Sequence, residues 1–213
     1  MILHRLQINN TAATAMKPYS ESSEQNRDPI LEVLRPLLRG TRNVLEIGSG
    51  TGQHAVYFSA QLPHLLWQTS DVIENHAGIN AWLDEEGPVS ALRPLELDVR
   101  SYDWPKQSYD AVFSANTVHI MGWEAVVALF AGVGHVLVPN GLFMLYGPFN
   151  YGGRYTSESN ARFDQWLKKR DPLSGIRNFE DLDTLARGAG MELYADIEMP
   201  VNNRTLVWRK TGA

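Results

Sequence analysis

The residues most suited to chemistry are Glu46-Ile47-Gly48-Ser49-Gly50-Thr51-Gly52, which lie between a short apolar run and a helix-like segment. Glycine lets a backbone turn sharply and lets a ligand approach the main chain closely. A strand, a glycine-rich turn and a helix in succession have the outline of a nucleotide loop. Two versions of that loop are excluded by single residues. The dinucleotide fingerprint needs glycine at position 53, where the chain has Gln53. The phosphate loop needs a Lys-Ser/Thr pair, which is missing here.

The run Val44-Leu45-Glu46-Ile47-Gly48-Ser49-Gly50-Thr51-Gly52 resembles the E/D-x-G-x-G-x-G motif of class I S-adenosylmethionine (SAM)-dependent methyltransferases. The resemblance implies that Glu46, Gly48, Ser49, Gly50 and Gly52 pack under the methionine and ribose parts of SAM. No phosphate then needs holding, which accounts for the missing lysine. Asp71 ends the second predicted strand, about 20 residues past the turn, where a carboxylate can accept both ribose hydroxyls. Asp98 ends the third. By the same resemblance it accepts from the adenine amino group, with Val99 packing on the purine face.

A narrower resemblance covers residues 16–210. Lys17-Pro18-Tyr19-Ser20, Asn26-Arg27-Asp28-Pro29-Ile30, Asn116-Thr117-Val118-His119-Ile120 and Ser159-Asn160-Ala161-Arg162-Phe163-Asp164 are similar to segments of the methyltransferase-like protein 26 family. Asp171-Pro172, Gly175-Ile176-Arg177 and Asn202-Asn203 continue it, while Ser174 departs from the tryptophan of many relatives. The resemblance places Asn26 and Arg27 ahead of the first helix and over the cofactor. Asn116 would hold the methyl-bearing end or the substrate, and His119 would take a proton, since imidazole titrates near neutral pH. Tyr19, Tyr146, Phe149 and Tyr151 would wall a substrate pocket. Asn160 and Asp164, four residues apart on one helix face, would add polar groups to it.

These residues need a scaffold, and the hydrophobic pattern supplies one. Asp28-Pro29 reads as an N-cap and first turn, with Tyr19 to Arg27 a loop before it and Pro36 ending the helix near Arg35. Strands are predicted at 43–47, 65–70, 92–97, 111–115 and 141–146. Helices lie between them, and a further pair follows at 158–169 and 179–189. The last two strands, 191–198 and 205–209, are too close for a helical crossover and must pair antiparallel. The fold expected is α/β, a Rossmann-like class I methyltransferase: seven strands, mostly parallel, an antiparallel C-terminal hairpin strand, and helices on both faces.

Composition narrows the function. The chain has 213 residues, suited to one domain over residues 16–213, with residues 1–15 an unstructured extension ahead of Met16 as the native start. Arg5 without nearby acids raises a targeting peptide, but polar residues break its apolar stretch. No cysteine is present, which excludes disulfides and zinc–thiolate sites and fits a reducing cytosol; a cytoplasmic location is expected. A net charge of −5 argues against nucleic acid as partner, and no apolar run reaches the roughly 20 residues of a membrane span. No cluster implies a metal, and composition is silent on oligomeric state.

The resulting expectation is a SAM-dependent methyltransferase acting on a small-molecule acceptor by direct displacement. The competing readings are a SAM-binding sensor or interaction protein without catalysis, and a protein methyltransferase. A nucleic-acid enzyme of the Asn/Asp-Pro-Pro-Tyr type is disfavoured, because Asn116-Thr117-Val118-His119 carries no proline.

Overall fold

The structure is a computed structural model that describes residues 17–101 and 103–212. The extension expected at residues 1–15 lies outside the described residues. Helix α1 (Glu21–Leu37) precedes strand β1 (Asn43–Ile47), helix α2 (Gln53–Gln61) and strand β2 (Leu66–Asp71). A 3-10 turn at Ile73–Asn75 leads into α3 (His76–Glu86), then β3 (Ala91–Glu96), β4 (Tyr109–Ala115), α4 (Trp123–Val136) and β5 (Leu137–Gly147). The chain continues through β6 (Phe149–Asn150), α5 (Glu158–Arg170), β7 (Arg177–Asn178), α6 (Phe179–Gly188), β8 (Met191–Met199) and β9 (Asn203–Lys210).

The main sheet has seven strands in the order β3-β2-β1-β4-β5-β9-β8. The pairs from β3 through β5 are parallel, and β9 runs antiparallel to both β5 and β8. This is the expected sheet with its hairpin. Alternation along the strands explains the two layers, because successive side chains leave a strand on opposite faces. Val112, Phe143 and Leu145 pack with Val126, Phe130, Leu182 and Ala186 of α4 and α6. Ala111, Phe113, Leu142 and Met144 pack on the other face, with Ile30, Leu34 and Phe58 of α1 and α2.

The first helix departs from expectation. It starts at Glu21, and Pro29 lies inside it. Ser20 is the true cap, its Oγ accepting from the Ser23 N–H at 3.2 Å. Glu21 and Glu24 occupy the first turn, where acids complement the exposed N–H groups. A side-chain cap plus two acids therefore starts the helix two turns before the Asp28-Pro29 signal. Asn26 and Arg27 are consequently helical residues, not a loop before the helix. The pairing of β6 with β7 is also new, being two residues on each strand brought together by the intervening α5.

Strand order reverses between β1 and β4, which are neighbours in the sheet although two strands separate them in sequence. In open α/β sheets ligands bind beyond the carboxyl ends of the strands at such a point. The turn after β1 and the segment after β4 both open there.

Candidate active site

The glycine turn is tied to β2 by its own backbone. The N–H groups of Gly48 and Ser49 both donate to the Ser70 carbonyl at 3.0 Å, and Gly52 N–H donates to the Ser49 carbonyl at 2.9 Å. Gly48, Gly50 and Gly52 have φ of 72°, 59° and 92°, the left-handed region that favours glycine. Two of them are open to different neighbours. A Cβ on Gly48 would lie 2.6 Å from Thr117 Cγ2, so the turn presses directly on the segment after β4. A Cβ on Gly50 would have nothing nearer than the Gly48 carbonyl at 4.0 Å, so this residue faces open space.

Carboxylates brace the turn from two sides. Glu46 is buried, and its Oε2 accepts from Ser49 Oγ at 2.9 Å and from Trp67 Nε1 at 3.1 Å. Burial pushes its carboxyl up to about 7, against the pull of those two donors. Asp71 Oδ2 accepts from the Gly50 N–H at 2.7 Å, while Oδ1 accepts from Val72 N–H and Asn75 Nδ2, both at 2.8 Å. A carboxylate offers about four lone-pair sites, so Asp71 keeps one for a further donor. This acid stands beside a turn that is bare at Gly50, leaving an open concavity with one free acceptor position. The turn's N–H groups at 48, 49, 50 and 52 are already committed within the protein, which fits a ligand without phosphate there.

Asp98 and Val99 follow β3, next along the sheet. Arg100 holds Asp98 through N–H and Nε to Oδ1, both 3.0 Å, and through Nη2 to Oδ2 at 2.7 Å. These hydrogen bonds keep the carboxyl below its ordinary value, and an adenine amino group would share it with Arg100. Val99 is buried in the core beside Leu97, and its carbonyl accepts from Trp104 Nε1 at 3.3 Å.

A cavity of about 420 Å³ opens beyond the C-terminal end of β4. It unites Asn26, Asn116, His119, Tyr146 and Asn160 from the sequence expectations, and adds Phe163, Pro148, Val201 and Asn203. Asn116 sits at φ 59°, an uncommon conformation that Asn tolerates better than most and that recurs at functional sites. A Cβ on Gly147 would lie 3.6 Å from His119 Nδ1 and 4.0 Å from Asn116 Oδ1, so the two polar groups converge over that glycine. His119 is 5% exposed and its Nδ1 has no hydrogen-bond partner among the described residues. Burial, then the charge of Arg177, lowers it to about 4, so the ring is neutral at physiological pH. Phe163 packs edge-on against it at 5.3 Å.

Five expected residues stand elsewhere. Arg27 pairs with Glu24 at 2.6 Å and lies over the Tyr57 ring at 4.5 Å, held to its own helix and α2. Tyr19 is well exposed and outside the cavity wall. Phe149 is fully buried in the core, because the strand pleat turns it inward past Gly147. Tyr151 stacks on Phe179 and donates to Asp196 Oδ2 at 2.8 Å, beside a separate cavity near Arg204. Asp164 is buried one turn below Asn160, where Lys168 Nζ at 2.7 Å, Tyr155 hydroxyl at 2.8 Å and Ile176 N–H at 2.7 Å satisfy it. It is a structural ion pair.

Three site-shaping residues were not singled out by sequence reasoning. Gln53 opens α2 and grips Ser20, its Oε1 accepting from the Ser20 N–H at 2.5 Å. This clamp ties the start of α1 to the glycine turn. The segment ahead of it is held on α3, with Trp82 Nε1 donating to the Pro18 carbonyl at 2.6 Å and Lys17 Nζ 3.6 Å from the Trp82 ring centre. Arg177 donates to the carbonyls of Val118, Met121 and Leu173, holding the turn that carries His119. Val201, with φ 59° and ψ 38°, lines the cavity in a conformation rare for a β-branched residue. Glutamine and arginine are common surface residues, so only the cross-chain contacts reveal these roles.

The sheet order and the switch point define the Rossmann-like fold of class I methyltransferases. The chain belongs to the family described as protein of unknown function DUF938, whose model matches residues 17–210. It is similar to an O-methyltransferase family protein from Burkholderia thailandensis, with 12% identity, TM-score 0.74, and coverage of 88% of this chain and 59% of that one. Human N-acetylserotonin methyltransferase, solved in complex with SAM, gives 15% identity and TM-score 0.74 over 90% of this chain and 53% of that chain. Mitomycin 7-O-methyltransferase gives 14%, TM-score 0.77, 89% and 54%. At these identities the likeness establishes the fold. The chain spans between 53% and 59% of these three neighbours. Among the described residues, no helix is long and apolar enough to cross a membrane.

Proposed function

We propose that the protein is a SAM-dependent methyltransferase acting on a small-molecule acceptor. The observation that carries this reading is the pairing of Gly50, open on its ligand side, with Asp71 at 2.7 Å, next to the segment that begins the acceptor cavity at Asn116. SAM would supply an electrophilic methyl group on a sulfonium. Gly48 to Gly52 and Asp71 would hold it, with Asp98 sharing the adenine edge with Arg100.

The remaining work falls to the cavity. Tyr146 and Phe163 orient the acceptor by packing, and correct placement alone lowers a barrier by roughly 7–11 kcal/mol. The Asn116 amide orients the acceptor hydroxyl by donating from its Nδ2 to the hydroxyl oxygen, leaving the single O–H for His119. That hydroxyl becomes a strong acid as its oxygen gives an electron pair to carbon. A base near pKa 4 is therefore strong enough, and His119 Nδ1 takes the proton.

The segment matches of the sequence further support a place near the methyltransferase-like protein 26 family. An acidic chain without cysteine supports work in the cytosol on a partner other than nucleic acid. One observation favours a second reading, a SAM-binding protein without catalysis: among the described residues that line the cavity, none is a charged base. Calorimetry with SAM is the first test, and no binding at millimolar cofactor removes both readings. Transfer of labelled methyl groups into small molecules of a cell extract separates them; binding without transfer leaves the second.

A further inference from the structure

The cavity wall has a consistent chemistry. Five primary amides line it, those of Gln25, Asn26, Asn116, Asn160 and Asn203, and among the described residues no Asp, Glu, Lys or Arg does. The charged groups around it are matched to partners: Asp164 with Lys168, Arg204 with Asp196, and Arg27 with Glu24. Arg177 is committed to three backbone carbonyls. The apolar part is flat, with Phe163 held at 13° to Trp166 and 5.9 Å from it, so the face it shows the cavity is fixed. A carboxylate or phosphate entering here would give up part of its water, the cavity being open beside Ser22, Gln25 and Val201, and would meet no cation among the described residues, which is unfavourable. Asn160 Nδ2 is already given to Thr156 Oγ1 and the Asn202 carbonyl, and Asn26 Oδ1 to His54, so an uncharged hydroxyl, carbonyl or amide would find its donor and acceptor chiefly in the Asn116 amide and the remaining amide oxygens.

We infer that the acceptor is an uncharged, ring-bearing molecule with a hydroxyl group, and that the cavity rejects its carboxylated and phosphorylated counterparts. The orphaned Nδ1 of the buried His119 supports this independently, being an unpartnered acceptor or donor that a neutral hydroxyl completes. The inference rests on the methyltransferase reading but concerns the acceptor cavity alone.

The test uses matched probes on the full chain, 4-hydroxybenzamide against 4-hydroxybenzoate and 4-hydroxyphenyl phosphate, by ligand-observed NMR with S-adenosylhomocysteine present. The amide should bind about tenfold or more tightly than either anion. Equal or tighter binding of an anion overturns the inference. Absence of binding by all three probes, while S-adenosylhomocysteine binds in the same samples, also overturns it and leaves the cofactor reading intact. Failure of S-adenosylhomocysteine to bind strikes the cofactor reading instead. Gln25→Lys, an exposed α1 position, adds a cation at the cavity. It should improve 4-hydroxybenzoate relative to 4-hydroxybenzamide by about fivefold at low salt. A ratio that stays within twofold of the parent places the probes outside this cavity and overturns the inference.

Discussion

The N–H of Gly50 donates to Oδ2 of Asp71 over 2.7 Å, joining the barest point of the glycine turn to the acid at the end of the neighbouring strand. One carboxylate thus shapes the turn and faces the ligand that the turn would receive. Asp71→Asn keeps an oxygen for Gly50 and removes the charge. The new NH2 then faces the Val72 N–H and Asn75 Nδ2 that Oδ1 had accepted from, so the thermal midpoint should fall as well. A charged hydrogen bond contributes roughly 1.5–3 kcal/mol, so SAM affinity should fall about 10- to 100-fold at a temperature where the variant is folded. Calorimetry and thermal melts on the same sample read both, and an unchanged affinity removes Asp71 from the site.

Gly48 and Gly50 should separate stability from binding. Gly48→Ala drives a methyl into Thr117 Cγ2, whose hydroxyl is already bonded to Ser114 Oγ at 2.7 Å. With left-handed strain added, it should cost about 2–4 kcal/mol of folding stability. Gly50→Ala meets no neighbour, so about 1–2 kcal/mol of strain is its whole structural cost, yet it should abolish SAM binding by filling the ligand face. Urea unfolding with calorimetry checks the contrast; equal effects of the two would refute it.

Stability should depend on pH through three buried groups of opposite sense. Glu46 is raised to about 7, so between about pH 4.5 and 7 the folded chain holds a proton that the unfolded chain has lost, and stability falls as pH rises. His54 and His119, both lowered to about 4 by burial, are neutral in the fold and charged when unfolded from pH 6.5 down, so each makes stability rise with pH across that interval. The sum is a rise to a maximum near pH 6.5, then a decline toward 7 from Glu46 alone. Glu46→Gln keeps an oxygen for Ser49 and Trp67. It should remove the decline, steepen the rise, and add about 3 kcal/mol above pH 7. Denaturant titrations across this range decide it; a variant that tracks the parent contradicts a protonated Glu46.

His119→Asn tests the proton acceptor. Turnover should fall about 100-fold with SAM affinity unchanged. In the parent, the imidazole lowered to about 4 should add no limb to kcat/KM from about pH 5 to 8, and a limb near 7 that Glu46→Gln removes belongs to the carboxyl under the glycine turn. A limb near pH 6.5 that persists in the variant would assign the proton to another group.

The strands β1, β4 and β5 were legible because each carries the run of apolar residues that a doubly covered sheet demands. The turn after β1 and Asp71 were legible for a similar reason, since glycine spacing and a strand-end acid are local signals. Failures came where depth or distance decides. Asn160 and Asp164 share a helix face, but only Asn160 reaches the cavity, while Asp164 meets Lys168 and the Ile176 N–H. Phe149 and Tyr151 follow the same strand as Tyr146, yet the pleat and the β6–β7 pairing turn them away. The start of α1 was misplaced because a strong Asp-Pro signal masked the weaker Ser20 cap. Nothing local marks Gln53 or Arg177, whose partners lie 33 and 59 residues away in the chain.

Arg177 couples two properties of His119 that could otherwise vary separately. Its guanidinium bonds the carbonyls of Val118 and Met121 on either side of the imidazole, and its charge disfavours protonation of that ring. Where the ring sits, and the part of its lowered proton affinity that burial does not account for, therefore both depend on one side chain of β7. A relative that shortens or redirects the segment between α5 and α6 would shift the acceptor's seat and retune the base in the same stroke, so divergence in that loop offers a direct route from one acceptor chemistry to another on an unchanged sheet.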